Sequence, residues 1–469
     1  MKNTKRRFET YSFYDHTGIA LHLEKMAEKG WLIEQITNTG WVYRRIEPKK
    51  LHFSVSYYPK ASEFDPEPSE DQKTFHDFCE HTGWSLAAAS AQMQIFYNEQ
   101  EDPMPIETDP ALEVDTIHRA ARKGFLPSYF ALLVVALLDC VFFISRLLGD
   151  PIGLLASAQN LFTGFAWTML LLLCVAELGG YYSWRHREQK AAMHGEFLET
   201  SGHAKLQKFI LWAVLIGFAY WLITLLTTAS TLMRVIGLLM VLYMAALFLL
   251  VNAIKQFLKR KKAPASVNRR VTMVSCVVLS FAMMGVITFG TLRAIQSGAF
   301  EPNRETYEHN GHNFTIYLDE LPLTIEDLLN VNLDGYIRER RSSESLILGQ
   351  FVMRQHPRFD AERYAEMPSL EYTITVVKVP FLYDICKNRL IRDYDVTHNI
   401  GVPEGYKKLY EPQGTSLWGA HEAYRLVAQD TGPMNRYLLC YENCIVEITF
   451  DWEPTEEQMA IVTEKLNGE

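Results

Sequence analysis

Between residues 125 and 295 the chain carries five apolar runs, each long enough to cross a hydrocarbon core. Such a core is about 30 Å thick and takes roughly 20 helical residues. The runs are Phe125–Ser145, Leu161–Tyr182, Phe209–Thr228, Leu232–Val251 and Val271–Leu292. An α-helix satisfies its own backbone in lipid, so the runs predict five spanning helices. Tyr129, Tyr181, Tyr182 and Trp184 lie near run ends, where amphipathic rings favour the headgroup zone. The third and fourth runs are joined only by Thr228–Thr231, which requires an antiparallel hairpin. A polar N-terminus precedes the first run, so no cleaved signal peptide is expected.

Charge divides the chain the same way. Residues 125–295 hold 15 Lys/Arg and 6 Asp/Glu, whereas residues 1–124 hold 15 and 20, and residues 296–469 hold 16 and 29. This partition excludes a single soluble domain, a disordered chain and a disulfide-dense secreted module. Neither polar end is basic, so nucleic acid is not an expected partner. The basic residues also orient the helices. Arg119, Arg122 and Lys123 precede the first run. Arg185, Arg187, Lys190, Lys205 and Lys208 separate the second and third, and Lys255, Lys259–Lys262, Arg269 and Arg270 separate the fourth and fifth. The alternate loops hold Arg146 and Arg234 alone, and Arg293 follows the fifth run. Positive residues accumulate on the cytoplasmic side, so the N-terminus is expected inside and the C-terminal domain outside.

Residues 1–110 predict a two-layer α+β domain built from duplicated helix-strand-strand units. One helix ends in Met26-Ala-Glu-Lys-Gly30-Trp31 and another in Phe78-Cys-Glu-His-Thr-Gly83-Trp84. Strands are expected at 32–37 and 41–46 after the first, and at 86–91 and 94–98 after the second. In each unit an apolar-aromatic pair, Val42-Tyr43 or Ile95-Phe96, ends 12 residues beyond the tryptophan. Glycine there suits a left-handed helix cap. An additional strand over Leu51–Tyr58 alternates polar and apolar residues. Trp31, Trp41 and Trp84 are core residues on the plainer reading and an aromatic partner-binding groove on the functional one. The Glu63–Asp71 and Glu99–Glu107 loops interleave acids with prolines, which favours solvated turns over a cation site. Residues 111–124 form a juxtamembrane helix, either lying on the inner leaflet or running directly into the first span.

Phe13-Tyr14-Asp15, the Met26–Trp31 motif, the acidic proline loop and Gly83-Trp84 resemble the bacterial family known as domain of unknown function 2812. The resemblance spans roughly residues 8–110, and Leu321-Pro-Leu-Thr-Ile-Glu-Asp-Leu328 is similar to the outer part of longer members. It implies a membrane location, mainly in Gram-positive bacteria, and names no enzymatic activity. Some relatives are encoded beside PadR-type regulators, an association that implies an envelope or stress response.

Residues 296–469 predict an extracytoplasmic α+β domain rich in strands. Glu308-His-Asn-Gly-His312 fits a tight hairpin, since Asn-Gly supplies two positive-φ positions. Asn330–Gly335 begins like a calcium loop but places Arg341 where a bidentate Glu is required. Glu422–Gln429, Arg436–Cys440 and Cys444–Asp451 are expected as antiparallel strands, followed by a helix capped by Thr455. A cross-hairpin disulfide between Cys440 and Cys444, a pairing of either with Cys386, and three free thiols all remain open.

No P-loop, GxSxG, HExxH or paired CxxC motif is present, so no catalytic residue, metal or cofactor is assigned. Ionisable groups inside the runs are the remaining candidates: Asp139 near the middle of the first and Glu177 toward the cytoplasmic end of the second. The bland alternative for Asp139 is an interhelical hydrogen bond. The fold class expected is thus a five-helix membrane bundle (residues 125–295) between two α+β domains. The function expected is a non-enzymatic sensor or adaptor that binds a cytoplasmic protein and an envelope ligand. The alternative is a small transporter, or its accessory, using Asp139 in a polar path. Partners are the lipid bilayer and that cytoplasmic protein, with self-association left open.

Overall fold

The computed structural model describes residues 3–37, 40–297, 299–300, 305–331, 335–361, 364–394 and 407–467. By contacts the chain falls into two compact units. One comprises Met1–Cys140, Phe165–Phe218 and Val235–Thr291; the other comprises Val141–Gly164, Ala219–Arg234 and Leu292–Glu469.

In the first unit the N-terminal fold is β1 (Thr4–Arg7), α1 (His16–Glu28), β2 (Trp31–Thr37), β3 (Gly40–Arg45), β4 (His52–Tyr57), α2 (Glu70–His81), β5 (Ser85–Ser90) and β6 (Met93–Asn98). The sheets are ordered β1-β3-β2 and β4-β6-β5. The duplicated unit is therefore larger than helix-strand-strand. Each copy is strand-helix-strand-strand, and its first strand pairs with its last. β4, the additional strand of the sequence pattern, opens the second copy. The copies even share a bulge, between Ile33 and Gln35 in β2 and between Leu86 and Ala88 in β5.

Gly30 and Gly83 end the two helices at φ of 77° and 90°. At α2 the Gly83 N–H bonds Glu80 O at 3.0 Å and the Trp84 N–H bonds Cys79 O at 2.9 Å. This is the reciprocal pair that absorbs the last orphan carbonyls of a helix. Helix α3 (Pro110–Ala121) follows, started by the Asp109 carboxylate. Its apolar residues Val114, Ile117, Ala120 and Ala121 are buried, and all but Val114 join the main core of the domain. That face packs against protein, and the turn at Arg122–Gly124 separates α3 from the first span.

Among the described residues, five helices are long and apolar enough to cross a membrane: α4 (Phe125–Gly149), α6 (Ala158–Ala192), α7 (Ala204–Thr227), α8 (Thr231–Arg260) and α9 (Ala265–Gln296). The short α5 (Pro151–Ala156) lies between the first two. Large apolar side chains such as Phe142, Phe209, Leu249 and Phe281 are exposed along these helices, a surface that needs a hydrocarbon solvent. The domain core continues into the helix ends. Tyr14, Leu23 and Ile95 share one buried cluster with Phe125 and Leu126 of α4 and Leu178, Tyr181 and Trp184 of α6.

The Glu63–Asp71 loop is not a free solvated turn. Glu63 pairs with Lys255 of α8 at 2.9 Å, and Glu67 with Lys262 at 2.7 Å. Phe64 lies beneath Lys255 and Arg269, and its carbonyl accepts from Asn268 Nδ2 at 3.2 Å.

In the second unit β7 (Thr306–His309) and β8 (His312–Thr315) form the expected hairpin, with Asn310 and Gly311 at φ of 52° and 78°. Helix α10 (Ile325–Leu328), β9 (Tyr336–Glu344), β10 (Leu348–Pro357), β11 (Leu370–Val377), α11 (Tyr383–Asp393), β12 (Lys408–Gln413), β13 (Glu422–Ala428), β14 (Gly432–Cys440), β15 (Cys444–Phe450) and α12 (Glu456–Leu466) follow. The strands build an antiparallel sheet ordered β12-β13-β14-β15-β11-β10-β9. One core holds α10 and α12, with Val446, Ile448 and Val462 buried. Another holds α5 and α11, with Ile152, Cys386 and Leu390. Thr455 and Gln458 cap α12 reciprocally. Residues 332–334 of the failed calcium motif lie outside the described residues.

The cross-hairpin disulfide is not formed. Cys440 points into the α11 core and Cys444 into the α12 core, because their side chains leave the sheet on different sides. Their registers agree, with Cys440 opposite Ile445 and Cys444 opposite Val376. All seven cysteines, Cys386 included, are free thiols.

Candidate functional site

The segment before α1 is pinned by the residues Ser12-Phe13-Tyr14-Asp15, and each has its own receptor. Phe13 stacks on Phe125 at 5.4 Å, and its carbonyl accepts from the Tyr57 hydroxyl. The Tyr14 ring stacks on Trp184 at 5.5 Å and meets Tyr181 edge-on at 6.0 Å. Its hydroxyl lies 3.2 Å from His203 Nδ1. Asp15 accepts from the Gly18 N–H at 3.1 Å, capping α1, and from Thr200 Oγ1 at 3.0 Å. Thr17 and Thr200 each donate a backbone N–H to the other's hydroxyl.

At the centre lies Glu177 of α6, with no exposed surface. Its Oε1 accepts from Ser12 Oγ at 3.0 Å and from Gln207 Nε2 at 2.9 Å, and His203 Nδ1 stands 3.8 Å away. Ser12 Oγ also accepts the His203 backbone N–H at 2.8 Å. Glu177 Oε2 is buried without a hydrogen-bond partner among the described residues. A buried carboxylate with half its capacity unused is costly, and it depends on the donors it does have. The closeness of the parts requires glycine. A Cβ on Gly180 would lie 2.2 Å from the Tyr14 hydroxyl, and one on Gly202 would lie 2.7 Å from Ser12 Oγ.

Beside this junction Glu9 faces Arg7 at 3.1 Å, His22 at 3.3 Å and Lys208 of α7 at 3.8 Å. Burial works to raise the Glu9 carboxyl, but His22, then Arg7 and Lys208, outweigh it and hold it below the usual range. Burial, reinforced by the Glu177 charge, pushes the Tyr14 phenol up to about 12, so it remains protonated. His16 lies 3.5 Å from Glu113 of α3. Burial, then Glu107 and Glu188, raises the Glu113 carboxyl to about 7.

Other residues singled out by the sequence lie apart from this junction. Asp139 is half-buried in α4 and makes no hydrogen bond or ion pair with the described residues. Trp41 packs into the main core against Tyr11 at 5.4 Å. Trp84 belongs to a separate core with Cys79 and Phe96, its Nε1 donating to Met104 O at 2.8 Å. Trp31 is half-buried between Lys5 and Arg45, at 5.3 and 5.0 Å from the ring. Thr200, Gln207 and His203 went unnoticed in the sequence, since a polar loop between two spans carries no periodic signal.

Residues 18–128 match the model of a family described as "Protein of unknown function (DUF2812)", which supports the resemblance carried by the Met26–Trp31 and Gly83-Trp84 motifs. The match begins after Phe13-Tyr14-Asp15 and ends in the first turn of α4, so it takes in α3 as well. No curated protein and no solved structure matches the chain.

Proposed function

We propose that this multi-pass membrane protein is a non-enzymatic sensor or adaptor, and that the Glu177 junction couples its helices to the N-terminal domain. The observation that carries the reading is the insertion of Ser12–Asp15 over a buried, incompletely paired carboxylate. A domain merely tethered to the membrane needs no such contact. Here a shift of α6 against α7 changes the donors around Glu177, and the segment that starts α1 must respond. The N-terminal domain then presents a different surface to a cytoplasmic partner, and the C-terminal domain meets an envelope ligand. The basic loops support a cytoplasmic N-terminus.

Orientation is tested with a membrane-impermeant maleimide on intact cells, using Leu346→Cys and Met104→Cys, both at exposed positions. Labelling of the first and protection of the second is expected; the reverse pattern removes the proposed topology. Coupling is tested by crosslinked pull-down from native membranes, comparing wild type with Glu177→Leu. A stoichiometric cytoplasmic protein whose recovery changes in the variant supports the reading, and identical recovery refutes it.

The transport alternative keeps one observation, the partnerless carboxylate of Asp139. Against it, Glu177 has no exposed surface. Asp139→Asn leaves partner recovery unchanged in an adaptor and abolishes ion-coupled uptake in a transporter.

A further inference from the structure

Helix α6 is 35 residues long, far beyond the roughly 20 that a bilayer core requires. Its apolar run ends near Tyr182, and Ser183–Ala192 carries the helix onward. At about 1.5 Å per residue, Arg185 stands roughly 5 Å and Lys190 roughly 12 Å past that end. The headgroup layer is about 5–8 Å deep on each side, so Arg185 falls in it and Lys190 stands a few ångströms beyond, where its flexible side chain can reach back.

At this depth an open cleft of about 520 Å³ separates α3 from the end of α6. Val114 and Met193 contribute apolar wall, and His118, Arg185, His186 and Lys190 contribute basic groups. Asp115, the acidic lining residue, is engaged by Arg119 at 2.9 Å. The side chains of Arg185, His186 and Lys190 make no hydrogen bond or ion pair among the described residues, and Arg185 Nε is buried without a partner. Tyr181 holds the His118 ring through Nδ1 at 2.6 Å, leaving Nε2 to face other partners. Burial, then the charges of Arg185 and Arg122, hold His118 below its ordinary range, with Asp115 opposing them.

We propose that this cleft binds the phosphate of an anionic phospholipid headgroup, with Arg185, Lys190 and His118 as its ligands. A guanidinium matches phosphate oxygens in a bidentate fork, and a lysine adds a mobile point charge. Arg185 stands within the headgroup layer, where lipid phosphate is the abundant anion, so a headgroup is favoured over a free ion. The occupant bridges α3 to α6, beside the Tyr14–Trp184 contact. Lipid composition is therefore an input to the junction.

The test is native mass spectrometry of the full-length protein in detergent, titrated with phosphatidylglycerol or, in parallel, phosphatidylcholine. Wild type is expected to retain one phosphatidylglycerol at least tenfold more readily than phosphatidylcholine. Arg185→Gln and Lys190→Glu should each abolish that preference, whereas Arg187→Gln, outside the cleft on the same helix, should keep it. Lys190 is exposed, so its variant is a test that does not depend on buried packing. A second arm adds inorganic phosphate at millimolar concentration. Displacement of the lipid by phosphate confirms phosphate as the recognised group. A thermal shift with phosphate in the absence of any lipid preference overturns the headgroup source. Equal loss in Arg187→Gln and the cleft variants, or no loss in either, overturns the site.

Discussion

Gly179 and Gly180 are neighbours in α6, and replacing each with alanine separates close packing from helix propensity. A Cβ on Gly179 meets nothing within 4 Å, whereas one on Gly180 would sit 2.2 Å from the Tyr14 hydroxyl and 2.3 Å from His203 Cε1. Alanine favours a helix over glycine by about 1 kcal/mol, and that gain is common to both variants. It also stays within α6, which remains helical when the segment before α1 lifts away. Tyr14 is 1% exposed and wedged between Tyr181 and Trp184, so it cannot give way freely. Overpacking costs about 1–3 kcal/mol, and the lost Tyr14–His203 hydrogen bond about 1 more. Gly180→Ala should therefore ease local opening by about 2–4 kcal/mol, roughly 30- to 1,000-fold at 1.4 kcal/mol per tenfold. Hydrogen exchange in detergent reads this directly at the amides of Gly18 and Ile19, which bond Asp15 at 3.1 and 3.0 Å. Gly179→Ala should leave both amides unchanged and raise the melting temperature slightly. If the two variants protect Gly18 and Ile19 to within threefold of each other, the junction is not close-packed as described.

Ser12→Ala leaves Glu177 with one fewer donor and strips the His203 N–H of its acceptor. The expected loss is about 2–3 kcal/mol, seen as a lower melting temperature in detergent; an unchanged value would show the serine to be incidental. Glu113 is favoured in its protonated form by the fold, so its contribution is full below pH 4.5 and is lost as pH rises through about 7. A carboxyl displaced that far makes its ionised form costlier by at most about 3 kcal/mol. Glu113→Gln should flatten the fall in thermal stability between pH 5 and 8, and an identical slope in the variant would assign the dependence elsewhere. Cys440 and Cys444 should resist iodoacetamide in the native protein and react after denaturation without reductant; a linked peptide would contradict their separate cores.

The spans and repeats were legible because each rests on a local pattern. Twenty apolar residues allow one structure in lipid, and Gly-Trp after each amphipathic helix marks a cap whatever surrounds it. The β1 strand was not legible. Thr4–Arg7 is a charged edge strand with no alternation, and it is defined only by pairing with β3. Helix α5 was equally hidden, since six residues between two spans look like a loop until Ser345 Oγ reaches Leu155 O at 2.6 Å. Glu177 was visible as an ionisable residue in a span. What it touches was not, because Ser12 and His203 lie 165 and 26 positions away in sequence. The cysteines failed for a related reason: spacing allows a cross-hairpin bond, but the turn sets Tyr441 rather than Cys440 opposite Cys444, so alternation sends the two thiols into different cores.

The basic loops that orient the helices also seat the N-terminal domain, and magnitudes decide which contacts hold it. Glu63–Lys255, Glu67–Lys262 and Glu9–Lys208 link a net-negative region to a net-positive one. The two loop pairs, partly exposed, contribute about 0.2–1 kcal/mol each and weaken in salt, whereas Glu9 is buried and is screened less. Asn268 is different. It is fully buried, donates through Nδ2 to the carbonyls of Phe64 and Lys255 at 3.2 and 3.4 Å, and accepts from Thr272 Oγ1 at 3.1 Å. Removing it takes away the Phe64 carbonyl's donor, at about 1–3 kcal/mol, whereas the Lys255 carbonyl keeps its helical partner. Limited proteolysis in detergent should therefore find the Glu63–Asp71 loop still protected in 1 M salt, and cleaved in Asn268→Leu at low salt. Release by salt alone would mean that charge, rather than the buried amide, seats the loop, and that the domain can leave the helix ends whenever ionic strength rises.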